Sequence, residues 1–353
     1  MYIRRSATVK YFLVAYIGAA LYCEWLVYII QPIFWPDLQC NEHDSSCTKI
    51  LFIADPQIQG DTAVPPPMSY LFNWDSDRYL KSSFSVALNH FKPEILVYLG
   101  DLTDEGSIAT MKEFNGYVKR LSNIFNVNYE ILQVWVPGDN DIGGENEPIK
   151  ADKVAAFENI FDQPFVIMYR NISFYKVNAI THTIPQYLDT SQSKNYKMVV
   201  SHYPITEKRG FVQKVNSALH PNIYFCAHDH DSKYVKQNKD LSKREKTQWL
   251  TAANTVLNVP NDESLYEIYV PTCSYRMGTS KIGYGAALLE HENSNLRYTV
   301  FWSPTRFPYL FLYLLLLIIA LLYCIVFCAA RLLHRQAAVV SKGDDKVPLL
   351  ERI

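Results

Sequence analysis

Six residues in this chain each close a short apolar run. "KILFIAD" ends at Asp55, "EILVYLGD" at Asp101 and "ILQVWVPGD" at Asp139. "YKMVVSH" ends at His202, and "IYFCAHDH" ends at His228 and His230. Taken singly, an aspartate at such a place is more often a turn residue or a helix cap, and a histidine a satisfied polar group. Six in series are hard to reach by accident. Carboxylates with imidazoles suit Mn2+, Fe or Zn2+ rather than Ca2+. Six ligands are too many for one tetrahedral ion and fit two ions that share an aspartate. Two such ions about 3.5–4 Å apart can activate water and clamp a phosphate through an in-line attack. "HDH" is the most specific fragment, because two imidazoles two residues apart on an extended chain point the same way.

The runs that carry these residues are short and rich in β-branched and aromatic side chains, as buried strands are. Stretches of helical character separate the first three, "SDRYLKSSFSVALNHF" and "ATMKEFNGYVKRLSNIF". In the second, Met111, Phe114, Val118 and Leu121 recur at helical spacing and predict one apolar face. Strand–helix–strand alternation implies an α/β fold with parallel strands and crossovers, and such sheets gather function at the carboxyl ends of their strands. No internal repeat is visible. "AVPPPMSY" reads as a proline-rich loop, and "QNKDLSKREKTQ" as a solvated loop or helix.

The chain has 353 residues, 20% charged and 49% hydrophobic, enough for one large domain or two small ones. A net charge of −1 excludes a basic field for nucleic acid. The ends differ from the middle. Residues 11–30 and 309–330 are each long and apolar enough to cross a bilayer as a helix. A cleaved signal peptide is the alternative for the first, but no small-x-small site follows it, which favours a retained anchor. Glu24 counts against that span unless it is protonated or partnered. Arg4, Arg5 and Lys10 precede the first span, and Arg331 and Arg335 follow the second. The positive-inside rule then puts residues 1–10 and 331–353 in the cytosol and residues 31–308 in a lumen or outside. Cys40 and Cys47 are close enough in sequence to pair in an oxidising lumen, whereas Cys226 and Cys273 read as core thiols. Asn171 of "NIS" is the one glycosylation sequon, on the side predicted to be lumenal. The tail after Arg335 reads as disordered, and its "DKVPLL" (345–350) resembles an acidic dileucine sorting signal, which would favour post-Golgi cycling.

The motifs "ADPQ", "GDLTDEG", "PGDND", "SHYP" and "AHDH", in that order over residues 50–230, resemble those of the calcineurin-like metallophosphoesterases. The resemblance implies a four-layer α/β/β/α sandwich and two divalent ions, typically Mn2+. By it, Asp55 and His230 would hold the first ion, Asp101 would bridge, and Asp139, His202 and His228 would hold the second. Four positions, in three of the motifs, depart from the family pattern. Gln57 stands where a histidine is usual, Asp139 and Asn140 stand where an asparagine ligand and the catalytic histidine are usual, and Ala227 replaces a glycine. Asp141 is expected to fix its turn through backbone hydrogen bonds. Asn140 can bind a phosphate oxygen but cannot donate a proton as an imidazole can, so the general acid is open, with His182 a remote nominee. The flanking spans resemble the membrane branch that trims ethanolamine phosphate from glycosylphosphatidylinositol (GPI) anchors in the early secretory pathway, and related fungal growth-control proteins. That implies a glycolipid or GPI-anchored protein as substrate. The competing reading, which the missing histidine supports, is a metal-holding trafficking or scaffold protein.

Overall fold

The computed structural model describes residues 5–40, 47–186, 195–290 and 295–344, so the dileucine-like segment lies outside the described residues. In chain order the elements begin with α1 (Arg5–Leu21), a π turn and α2 (Val27–Ile30), then β1 (Thr48–Ile53), α3 (Met68–Phe91), β2 (Ile95–Tyr98), α4 (Met111–Ile124) and β3 (Leu132–Trp135). There follow α5 (Asp139–Ile142), α6 (Ala151–Ile160), β4 (Val166–Tyr169), β5 (Ile172–Lys176), β6 (Tyr196–Val200), α7 (Arg209–Leu219) and β7 (Ile223–Cys226). The chain continues through β8 (Lys233–Asn238), β9 (Gln248–Trp249), β10 (Leu257–Pro260), β11 (Ser264–Tyr269), β12 (Gly283–Leu289), β13 (Asn295–Trp302) and α8 (Phe307–Asp344). All five apolar runs that end on candidate ligands are strands.

These strands fall into two sheets, ordered β10-β13-β12-β1-β2-β3 and β4-β5-β6-β7-β11-β8-β9. The strands that deliver ligands are parallel to one another, β1-β2-β3 in one sheet and β6-β7 in the other. β12 pairs antiparallel with β1, and in the second sheet the parallel run β5-β6-β7-β11 is bordered by antiparallel β4 and β8, so both sheets are mixed. Period-two alternation explains the layers. Ile50, Phe52 and Ala54 of the first sheet and Met198, Val200 and Phe225 of the second share one core between the sheets, where the Phe52 and Phe225 rings stack at 4.1 Å. The opposite face of the second sheet buries Val199 and Tyr224 against Phe211, Val212, Val215 and Leu219 of α7. On the outer side of the first, Phe84 of α3 meets Tyr284 of β12, and Tyr98 of β2 meets Phe125. This is the α/β/β/α sandwich.

Some local readings change. α4 buries Phe114, Tyr117 and Leu121, while Met111 is half exposed. The strip turns toward Tyr117 because the helix packs its middle on the sheet and leaves its first turn in solvent. α3 starts at Met68, directly after the prolines, so the proline-rich loop is shorter than the sequence suggested. Residues 237–248 are the end of β8, turns and the start of β9, not a helix. α8 runs on to Asp344, so the helix outlasts the apolar segment and residues 336–344 are helical where disorder was expected.

The chain divides into two units. One comprises the described residues up to Leu26 and from Arg306 onward. Within it the Glu24 carboxylate accepts from Arg306 Nη1 at 2.9 Å and from the Tyr313 hydroxyl at 2.7 Å, which partners the one acid in the apolar stretch. Phe12 meets Tyr323 at 5.5 Å, and Tyr22 meets Tyr309 at 6.0 Å. Among the described residues, two helical stretches are long and apolar enough to cross a membrane, Thr8–Phe34 and Phe307–Leu333. The other unit, Val27–Thr305, holds both sheets. In it Trp35 donates its indole N–H to Trp302 O at 2.9 Å and stacks on Phe301 at 4.7 Å, tying the N-terminal connector to β13. Cys40 and Cys47 form a disulfide. Cys226 and Cys273 are buried free thiols, which burial pushes well above the usual thiol range.

Candidate metal centre

Strand ends of the two sheets meet at one edge of the sandwich. Asp55 follows β1, Asp101 follows β2, Asp139 opens α5 after β3, His202 follows β6, and His228 and His230 follow β7. The six sort into two groups whose ligand atoms lie within 4.8 Å of one another: Asp55 with Asp101 and His230, and Asp139 with His202 and His228. His202 Nε2 is 3.0 Å from Asp139 Oδ1 and 3.4 Å from Asp101 Oδ1, so Asp101 faces both groups. His228 Nδ1 lies 3.3 Å from Asp139 Oδ1, and His230 Nε2 lies 3.8 Å from Asp55 Oδ1. The chain is not extended at "HDH". His228 and His230 both have positive φ, 69° and 61°, and their imidazoles go to different groups. A chain that turns at each histidine can serve two subsites, which an extended one cannot.

Asp55 and Asp101 also have positive φ, 47° and 49°, as does Gln57 at 45°. Non-glycine residues held there cost about 1–3 kcal/mol each and persist only where surroundings impose them. Those surroundings are visible. Thr272 Oγ1 donates to Asp55 O at 2.9 Å, and Arg276 Nη1 donates to Gln57 O at 2.9 Å while its Nη2 bonds Asp104 at 2.7 Å. Gly100 (φ 93°) is needed as glycine, because a Cβ there would sit 2.7 Å from Gly138 N and 2.8 Å from His202 Nδ1.

Hydrogen bonds aim the ligands. His202 Nδ1 bonds Leu99 O at 2.8 Å, which leaves Nε2 for the centre. Asp141 accepts from Leu102 N, Thr103 N, Thr103 Oγ1 and Gly138 N at 2.8–3.1 Å, stitching the loop after β2 to the loop after β3. This is the turn-fixing role expected of it. Asn140 donates from N to Asp101 Oδ1 at 2.9 Å and from Nδ2 to Asp101 Oδ2 at 2.8 Å. Gln57 Nε2 donates to Asp101 Oδ2 at 3.2 Å and is 3.4 Å from His230 Nε2. Two of the residues that depart from the family pattern, Asn140 and Gln57, thus both grip Asp101.

The donor set fits cations. Both carboxylate oxygens of Asp55 are buried with no hydrogen-bond partner among the described residues, a costly state for a carboxylate unless a cation is bound. Burial raises the Asp55 and Asp101 carboxyls, and for Asp101 the neighbouring Asp139 and Asp55 add to the rise. Burial alone would raise Asp139 as well, but hydrogen bonds from His202 and His228 hold it below the usual carboxylate range. Burial would lower His202, yet Asp101, Asp139 and Asp55 together push it up to about 10. Such a concentration of negative charge is what two divalent ions would neutralise.

The structure does not bring His182 to this cluster. It is exposed, and its ring packs on Phe211 of α7 at 5.1 Å. Sequence reasoning missed Thr272 and Arg276, which lie far along the chain in no recognisable pattern. It also missed Tyr203, whose ring sits 4.2 Å from that of His228, and Glu267. The last is a fully buried carboxylate on β11 that accepts from Ile205 N at 2.6 Å and Thr206 N at 3.1 Å and so holds the loop after His202. The signal for Tyr203 was its place beside His202. A carboxylate inside the apolar run "SLYEIYV" was the signal for Glu267.

Residues 48–232, just over half of the chain, match the calcineurin-like phosphoesterase family. The chain belongs to that family. The calcineurin-like match covers every one of the six clustered residues. Among curated relatives, Metallophosphoesterase 1 of Ailuropoda melanoleuca is 28% identical over 167 residues, which is 46% of this chain and 41% of that protein. A homologue of Metallophosphoesterase 1 from Drosophila melanogaster is 25% identical over 166 residues, 46% of this chain and 44% of that one. The matched stretch therefore spans well under half the length of these relatives. Solved structures it resembles include a metallophosphoesterase from Sphaerobacter thermophilus, with 11% identity, a TM-score of 0.37, and coverage of 72% of this chain and 88% of that one.

Proposed function

We propose that this calcineurin-like phosphoesterase is a membrane-bound phosphodiesterase that uses two divalent ions, Mn2+ foremost, with Zn2+ or Fe as the other candidates. One observation carries the reading: two three-residue ligand groups adjoin at Asp101, and the buried Asp55 carboxylate has imidazoles no nearer than 3.8 Å and no hydrogen-bond partner among the described residues. Asp55 and His230 would hold one ion, Asp139, His202 and His228 the other, and Asp101 both. Ions so placed would supply Lewis acidity and an activated water to a phosphate. The chain's own residues do the rest. Leu99 O orients the His202 imidazole, the Asn140 and Gln57 amides orient Asp101, and Thr272 and Arg276 hold the turn that presents Asp55. With ions in place, the Asn140 amide is also a donor for a phosphate oxygen.

For the substrate we favour ethanolamine phosphate on GPI-anchor glycans, with a lumenal catalytic domain in the ER, the ER–Golgi intermediate or the Golgi, in support of ER-to-Golgi transport. The support is the resemblance of "GDLTDEG" and "PGDNDIGG", between two apolar helices, to the anchor-trimming branch. A second reading, a metal-holding trafficking scaffold, draws on Asn140, which offers an amide where an imidazole is usual. Turnover of bis(4-nitrophenyl) phosphate by the purified chain, with and without Mn2+, separates the two. Metal-dependent hydrolysis that disappears in Asp101→Ala is expected. A chain that binds two ions yet cleaves neither aryl nor alkyl diesters would sink the enzyme reading and favour the scaffold.

A further inference from the structure

Between the two apolar helices, Ala63–Trp74 ("AVPPPMSYLFNW") carries no charged residue. Its second half forms the first turns of α3, and there Met68, Tyr70, Leu71, Phe72 and Trp74 are 52, 66, 56, 44 and 60% exposed. Five large apolar side chains in seven residues make a patch of the kind a folded domain leaves uncovered only where something binds. The rest of α3 behaves normally. From Tyr79 onward it buries Leu80, Phe84, Ala87, Leu88 and Phe91.

What lies beside α3 names the occupant. The Tyr79 hydroxyl donates to Pro304 O at 2.8 Å, and the Tyr79 ring meets Tyr28 at 6.1 Å. Pro304 stands three residues before Phe307, where the second apolar helix begins, and Tyr28 lies within the first. The covalent chain keeps Pro304 within about 11 Å of that helix start. α3 therefore packs, within its own unit, on the two segments that continue in sequence into the apolar helices. The patch lies five to eleven residues back along α3, about 8–17 Å at the helical rise. We propose that the Met68–Trp74 end of α3 sits in the interfacial layer of the bilayer, as a contact between the sheet domain and the membrane separate from the two spans. The composition suits that layer: Leu, Phe and Met supply apolar insertion, and Tyr and Trp sit at headgroup level. Arg78, whose guanidinium lies 5.0 Å from the Trp74 ring, places a cation at the same edge. The loop that ends at Met68 begins near Gln57 of the metal centre, so this contact would hold the rim of the centre toward lipid-borne substrates.

The proposal rests on reading both terminal helices as spans, and its test keeps the two apart. The full chain, with Cys324→Ser and Cys328→Ser, is reconstituted in phosphatidylcholine vesicles carrying a single nitroxide at Leu71→Cys, Trp74→Cys or, as an aqueous control, Lys243→Cys. At positions 71 and 74, collisions with oxygen should exceed those with a water-soluble nickel chelate several-fold, with the order reversed at 243. Nickel access at 71 and 74 equal to that at 243 overturns the proposal. Exclusion of both reagents also overturns it, since that marks a protein partner or second copy. Release of the chain from vesicles by alkaline carbonate defeats the span reading itself and the proposal with it.

Discussion

One carboxylate, Asp101, is touched by His202 from one ligand group and belongs to the other, and the side chains of Asn140 and Gln57 both bind it. Its loss would leave two cations facing each other without shared negative charge. Asp101→Ala should empty both sites, while His228→Ala should weaken mainly one; elemental analysis of the purified protein counts the ions, and two retained in Asp101→Ala would refute the shared role. Asn140 carries the second prediction at this scale. General acid catalysis is typically worth about 10²–10⁴-fold, and an amide supplies none of it. Alkyl diesters, with poor leaving groups, should suffer more than aryl ones. Asn140→His should raise the alkyl rate and leave the aryl rate nearly unchanged. Should it slow both equally, the grip of Asn140 on Asp101 outweighs any missing acid.

At the scale of elements, the strands of the two sheets are rigid mounts, and the strained turns at their ends are what they carry. β5 ends on Lys176, which lines a cavity of about 220 Å3 together with Phe157, Phe161, Phe165 and the acids Glu158 and Asp162. Burial lowers this lysine to about 8, partly countered by Glu158. The sign follows from linkage. An unfolded lysine holds its proton to about pH 10.4, so between about pH 8 and that value the unfolded state binds more protons and stability rises with pH. Below about pH 8 the cost of burying the charge is present in full. Lys176→Met should therefore melt higher than the native chain at pH 7, with the gap closing toward pH 10. A gap that does not change with pH would show that the amine is not desolvated.

For the whole molecule, reading the two apolar helices as spans raises the question of which side of the membrane the sandwich would occupy. The proposed lumenal side rests on the arginines outside both apolar helices. Asn171 is half-buried in the turn between β4 and β5. Endoglycosidase treatment of the expressed chain should shift its band, and Asn171→Gln should abolish the shift. Digestion of the sandwich by protease added outside sealed microsomes would overturn the topology.

The six clustered residues were legible in the sequence because buried parallel strands have a strong local signature, and because a strand's carboxyl end is where its chain can leave the core with a polar side chain. Periodicity pointed to an α/β fold with parallel strands, the family resemblance supplied the four layers, and the apolar ends came from length and hydropathy alone. Local patterns could not reveal what crosses between distant segments. Thr272 and Arg276 brace the Asp55 turn from more than two hundred residues away, Glu267 holds the loop after His202 from another strand, and Glu24 finds Arg306 at the far end of the chain. The turn at "HDH", which splits its imidazoles between two groups, is equally invisible, because a histidine takes a positive φ only under surrounding contacts. Residue types and their order along the chain are written into sequence. Backbone strain, second partners and the distance between strand ends exist only once the sheets have packed, since each depends on groups brought together by burial rather than by bonds.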